Sequence, residues 1–180
     1  MTRIAILKRE EMNAEQGRVY DEAKAANLPV GGPYYAYIRN PTLFTASQNM
    51  GKAFASFKIS GRERLIAVLT VCRFWGANYP WGAQSRNAVA QGVEQSVIDA
   101  INAGKTPDLT NPREAMAHKL PKELLTNKGL SEATYKEAEK LFGTDDLVGL
   151  IASVGQFSMV CCSANAFDIT PTAEMQKLQG

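Results

Sequence analysis

Histidine is almost absent from this chain. Among 180 residues there is one, His118, and there are three cysteines, Cys72, Cys161 and Cys162. No Cys-x-x-Cys occurs and no Cys/His cluster has zinc-ligand spacing, so neither a structural zinc site nor any other metal is expected. An odd cysteine count with one adjacent pair is a poor disulfide framework and fits a reducing, cytoplasmic compartment. An excess of one charge is also missing: 20 basic residues face 18 acidic ones, for a net charge of +2. No basic block stands out, which argues against a nucleic-acid partner. Arg3, Lys8 and Arg9 interrupt the short apolar run at the N-terminus, and no small-residue cleavage site follows, unlike a secretory signal. No strand-turn-strand pattern appears, which leaves an all-α fold.

What is present is apolar residue, at 45% of the chain, enough for one domain with a real core. Residues 1–12 read as an N-terminal arm and 13–180 as a single domain. Helix starts are marked locally. Asn13 with Gln16 and Ser60 with Glu63 have the spacing of capping boxes, and Asn40-Pro41 and Asn111-Pro112 pair an N-cap with proline at the first helical position. Glu114 extends the last of these patterns, and Pro121 is expected to kink or split the helix that follows. Gly92, Gly104 and Gly143 read as helix stops. Between the starts and stops lies a stretch with its own character, Arg62 to Gly92. It begins as a helix apolar on nearly every side, which belongs in the centre of a bundle. It then breaks at Trp75-Gly76-Ala77 and resumes as a second helix, with Pro80 in its first turn.

The last helix, Leu147 to Phe167, has the length and apolarity of a membrane span. Ser153, Gln156, Ser158, Ser163 and Asn165 recur through it and basic anchors are missing at its ends, so a buried bundle helix is expected instead, with no membrane partner.

The order of Gly32-Pro33-Tyr34, Arg39-Asn40-Pro41, Gly61 to Leu65, Leu69 to Gln84, Gly92-Val93, Ser131 to Tyr135 and Asn165 to Phe167 resembles the carboxymuconolactone decarboxylase-like family, within the AhpD-like superfamily. The resemblance runs from about Asn13 onward. It implies an all-α AhpD-like bundle built round a central helical hairpin and assembled as a homo-oligomer, a dimer, trimer or hexamer. It also implies sites between helices near subunit contacts. Members are lactone decarboxylases, thiol peroxidases with a Cys-x-x-Cys pair, or proteins of unassigned reaction. Members with an intact proton relay carry Glu where this chain has Leu65, and Tyr-Glu-Trp-x-x-His where it has Tyr79-Pro80-Trp81-Gly82-Ala83-Gln84. Leucine, proline and glutamine cannot accept and return a proton near neutral pH. Nor does the motif contain the low-pKa thiol that peroxidase chemistry needs.

Tyr79, Gln84 and His118 are therefore the candidate catalytic groups. Tyr79 can donate to an oxyanion, Gln84 can orient a substrate oxygen, and His118 titrates near pH 7 when unperturbed. Arg73, the one cation in the apolar helix, can hold a substrate carboxylate in a fork, or can pair structurally with an acid such as Glu63 or Asp146. Trp75 and Trp81 can wall a flat substrate or pack the core. Asn78, Tyr34 and Arg39 complete the binding set, with Arg86 as a weaker cation. Cys161 and Cys162 read as buried, inert thiols. The expected activity is that of a cofactor-independent enzyme on a small cyclic or aromatic, oxygenated metabolite, working by decarboxylation, lactone rearrangement, elimination or cyclisation. The alternatives are a non-catalytic binding or scaffold protein and, last, a thiol peroxidase.

Overall fold

The computed structural model describes residues 2–179. Among them every regular element is helical: α1 (Ala14–Ala25), α2 (Tyr34–Tyr37), α3 (Pro41–Ala53), α4 (Gly61–Phe74), α5 (Asn78–Ala90), α6 (Gln95–Asn102), α7 (Pro112–Asn127) and α8 (Glu132–Ala166). Two short 3-10 turns, Arg9–Glu11 and Phe54–Ser56, precede α1 and follow α3.

α4 is the central rod, packed against α5, α6, α7 and α8. Its capping box forms as the spacing requires: Ser60 accepts from the Glu63 amide at 3.1 Å, and the Glu63 carboxylate accepts from the Ser60 amide at 2.8 Å. Leu65, Ile66, Val68, Leu69 and Val71 are all buried on this one helix. Burying each contributes about 1.5–3 kcal/mol, so α4 carries much of the apolar stabilisation of the domain. At its end Gly76 turns left-handed (φ 58°), and the Ala77 amide reaches back to the Cys72 carbonyl at 3.1 Å. That closure is the Schellman form, which a residue with a Cβ adopts only under strain. It folds α5 back on α4 and completes the helical hairpin.

An ion-pair seam fastens the base of the hairpin. Arg113, in the first turn of α7, donates to Glu63 at 2.6 Å, to the Leu141 carbonyl of α8 and to the Lys58 carbonyl. Arg62 bridges Glu114 and Glu94, and also donates to the Gly92 carbonyl. The expected role of Glu114 in capping is thus replaced: its carboxylate is taken by Arg62, and Asn111 alone caps α7 through the Arg113 amide. Pro121 does not split α7, which continues to Asn127 with the proline buried among its neighbours.

α8 is helical on both sides of Gly143, whose backbone (φ 73°, ψ 164°) lies in a region open essentially to glycine alone. The stop predicted at this residue is therefore present as a sharp break where two helices meet, and α8 names the pair. α8 is apolar and long enough to cross a membrane by length and composition, and in this fold it packs on α4, α5 and α7. A second, smaller core joins α1, α2 and α3 through Val19, Ala23, Tyr37, Ile38 and Phe44. The Tyr37 hydroxyl ties it to α8 by donating to Ser163 at 2.9 Å. The N-terminal arm lies against this core through Ile4 and Leu7. Beyond α8 the chain turns back, and residues 172–179 cross the outer face of α5 and α6 as a strap. The Leu178 amide donates to Asn78, the Gln179 amide donates to Asn102, and Asn102 donates to the Lys177 carbonyl.

Candidate functional site: an aromatic cavity beside the hairpin

The first turns of α5 form one wall of a cavity of about 410 Å3. That is within the range of small-molecule sites and suits a single-ring metabolite. Tyr79, Pro80, Ala83 and Gln84 recur on one face of α5 and all line it. Tyr34 faces them from the second core, and Gln156 enters from α8. The loop before α2 supplies the rim, and Gln48 pins it by donating to the Pro29 carbonyl at 2.6 Å. Gly31 and Gly32 in that loop give the Tyr79 ring its place; a Cβ on Gly32 would collide with the ring itself. Met175 of the strap closes the remaining side.

Burial pushes the Tyr79 phenol above its ordinary pKa, the neighbouring Tyr35 adds to the rise, and Arg86 opposes it. Tyr79 is therefore a protonated O–H donor at neutral pH, not a base. Gln84 accepts from Asn87 at 3.3 Å through its oxygen, which leaves its amide N–H groups for the cavity. Arg86 is at the exposed rim. The wall thus offers a neutral phenol, the side-chain amides of Gln84 and Gln156, and a cation at the mouth.

Of the residues singled out from sequence, Tyr34, Tyr79 and Gln84 come together here, with Arg86 at the rim. The others lie elsewhere. Trp81 is fully buried in the main core and forms no part of the cavity wall. Trp75 is half-exposed at the tip of the hairpin, stacked edge-on with Phe74. The Asn78 oxygen is used by the strap, and Arg39 donates to the Ala5 carbonyl at 2.7 Å on the surface. Arg73 pairs with neither proposed acid, because Arg113 has taken Glu63 and the Lys58 amide has taken Asp146. It donates instead to the Gln179 carbonyl at 2.8 Å. Arg73 and His118 meet in a different cavity, on the α7 side of α4. Gln156 was legible only as a polar interruption of an apolar helix; nothing local showed that it faces α5.

The cysteines are also redistributed. Cys162 is exposed, whereas Cys72 and Cys161 are buried with their sulfurs 3.9 Å apart, across the α4–α8 contact. Burial, reinforced by Cys161, pushes the Cys72 thiol well above its ordinary pKa.

The sequence matches no protein-family model and no curated protein. Solved structures do match. One is an uncharacterized peroxidase-related protein from Silicibacter sp., 16% identical over 99% of this chain and 96% of its own, with a TM-score of 0.79. Another, from Ralstonia eutropha, is described as an alkylhydroperoxidase AhpD core, an uncharacterized peroxidase-related protein. It is 16% identical over 96% of this chain and 93% of its own, with a TM-score of 0.76. At that identity the likeness is one of fold. This chain has the all-α AhpD-like fold.

Proposed function

We propose that the aromatic cavity binds a small cyclic or aromatic, oxygenated metabolite and that the protein acts on it without a cofactor. Decarboxylation, lactone rearrangement, elimination and cyclisation are the reaction classes such a wall can serve. The observation that carries this is the convergence of Tyr79, Gln84 and Gln156 from two helices on one cavity, with Tyr79 kept protonated by burial. A preorganised phenol O–H stabilises an oxyanion as it develops, and the amides hold the substrate oxygens in position. No general base is required of Leu65, Pro80 or Gln84, the places where relay-bearing members of the resembled family carry acids and imidazole. Thiol peroxidase chemistry fits less well, since Cys72 is fully buried and its thiolate disfavoured. Cytoplasmic placement accords with three free thiols, and a homo-oligomer accords with the exposed Phe74, Trp75 and Val89.

The test is a screen of lactones and aromatic acids against the wild type, Tyr79→Phe and Gln84→Ala. Loss of a preorganised oxyanion donor costs on the order of 100-fold in kcat or more, so Tyr79→Phe should fall by that amount with little change in KM. Equal turnover in all three proteins removes the site. Saturable binding without turnover, lost in Gln84→Ala, identifies a binding protein instead.

A further inference from the structure

His118 is in the middle of α7, on the face that meets α4, and is only 6% exposed. Its Nδ1 lies 2.9 Å from the Thr70 hydroxyl. That hydroxyl has one hydrogen, and the Ile66 carbonyl accepts it at 2.8 Å. Both contacts of this hydroxyl are hydrogen bonds only when Nδ1 is the protonated nitrogen that donates to Thr70, the tautomer that leaves Nε2 with its lone pair. Nε2 is buried and has no hydrogen-bond partner. An unpaired acceptor in such a place is costly, and a donor brought to it offsets part of that cost.

Two cavities border this imidazole. One, of about 130 Å3, lies between α4 and α7 and is lined by Thr70, Arg73, Lys105, His118 and Lys122. The other, of about 470 Å3, opens along α7 and shares His118, Lys122 and Thr126. The positions 118, 122 and 126 are four apart, so one helix face supplies both walls. The charges around the pair are lopsided. Lys119 is neutralised by Glu137 at 2.7 Å. Glu123 is turned to the Ser131 amide and the Thr134 hydroxyl. Among the described residues Lys105 and Lys122 form no ion pair, and Arg73 is bonded there only to the Gln179 carbonyl. The walls between these groups are apolar, from Phe74, Ile101, Leu109 and Ala115.

We propose that these cavities form a binding site for a small hydroxylated carboxylic acid, whose hydroxyl donates to His118 Nε2 while its carboxylate meets Lys122, Lys105 and Arg73. The smaller lobe has the size of lactate, and the larger accommodates an aryl substituent. Burial, assisted by Lys122, holds the imidazole pKa down at about 4, so Nε2 stays an acceptor throughout the neutral range. The site is separate from the aromatic cavity, and its failure leaves the function proposed for that cavity untouched.

Because His118 is the only histidine, a long-range 1H–15N spectrum of the labelled full-length chain reports on it without assignment. The free protein should show a protonated Nδ1 and an unprotonated Nε2. Lactate and mandelate should shift the Nε2 signal saturably, and calorimetry should give matched propionate and phenylacetate affinities about tenfold weaker. Lys122→Met should weaken hydroxy and deoxy acids alike, whereas His118→Phe should abolish the difference between them. Should His118→Phe fail to fold, the wild-type comparison of hydroxy with deoxy acids stands alone. Equal affinities for the two series, a protonated Nε2 in the free protein, or no shift at millimolar acid would each overturn the proposal.

Discussion

Replacing Gly82 by alanine should change sign in its effect on stability according to whether the C-terminal strap is present. Gly82 is in the interior of α5, where alanine is intrinsically the better residue by about 0.5–1 kcal/mol. The space for the extra methyl is occupied by the strap. An added Cβ would lie 2.6 Å from the Met175 Cβ and 3.0 Å from the Gln176 carbonyl oxygen. In the full chain Gly82→Ala must therefore displace the strap or strain the helix, at about 1–3 kcal/mol. The strap's anchors at Asn78, Asn102 and Arg73 resist the first course. In a chain truncated after residue 171 the same substitution should stabilise by the helix-propensity term. Thermal melts of the four proteins of this cycle give the coupling directly. For a domain of this length, 1 kcal/mol corresponds to roughly 2–4 °C in Tm. Hydrogen exchange should show the strap amides of Leu178 and Gln179 deprotected in full-length Gly82→Ala. Alanine costing the same in both lengths, or stabilising both, would refute close packing of the strap on α5. Met175 also walls the aromatic cavity, so the full-length variant should bind ligands of that cavity more weakly.

Arg113→Ala leaves Glu63 buried without its partner and should cost about 3–5 kcal/mol, whereas Glu63→Leu with Arg113→Met should recover much of that loss in a melt. Burial alone would raise the Glu63 pKa, but the Arg113 and Ser60 hydrogen bonds outweigh it and hold the carboxyl below its ordinary value. Its contribution is thus complete above the unfolded carboxylate pKa and is lost as pH falls through the folded one, so Glu63→Gln should flatten the acid limb of a stability–pH curve. His118 acts in the same direction in a higher window. Its folded pKa of about 4 lies below the ordinary imidazole value of 6.5, so the unfolded chain takes the proton first and stability declines as pH drops between those values. A His118→Phe chain that folds should lack that part of the slope in urea titrations. Gly143→Ala meets no side chain but forces an unsuitable backbone, and should lower stability by about 1–3 kcal/mol.

Much of the helical frame could be read from neighbours in sequence, because a cap is made within four residues. Asn13 with Gln16, Ser60 with Glu63 and Asn40 with Pro41 all begin helices where their spacing says they should. The all-apolar character of α4 correctly placed it at the centre. Partners far apart in sequence were not legible. Glu63 had several arginines to choose from, and only the packing of α7 on α4 selects Arg113 over Arg73. Cys72 and Cys161 are 89 residues apart, so no spacing pattern joins them. The aromatic cavity was legible in its α5 half, from Tyr79 and Gln84, and hidden in its α8 half, where Gln156 looks like any polar residue in a long apolar helix. Trp81 illustrates the converse: the motif draws attention to it, and the fold uses it as filling.

The arrangement of the three thiols makes the molecule its own stability gauge. Cys162 is open to solvent, whereas Cys72 and Cys161 face one another in the core between α4 and α8. A thiol reagent added to the native protein should mark Cys162 at once. It reaches the other two only when α4 and α8 separate, an opening whose free energy approaches that of global unfolding. The slow fraction of labelling therefore clocks the opening of the core, without any probe having been introduced.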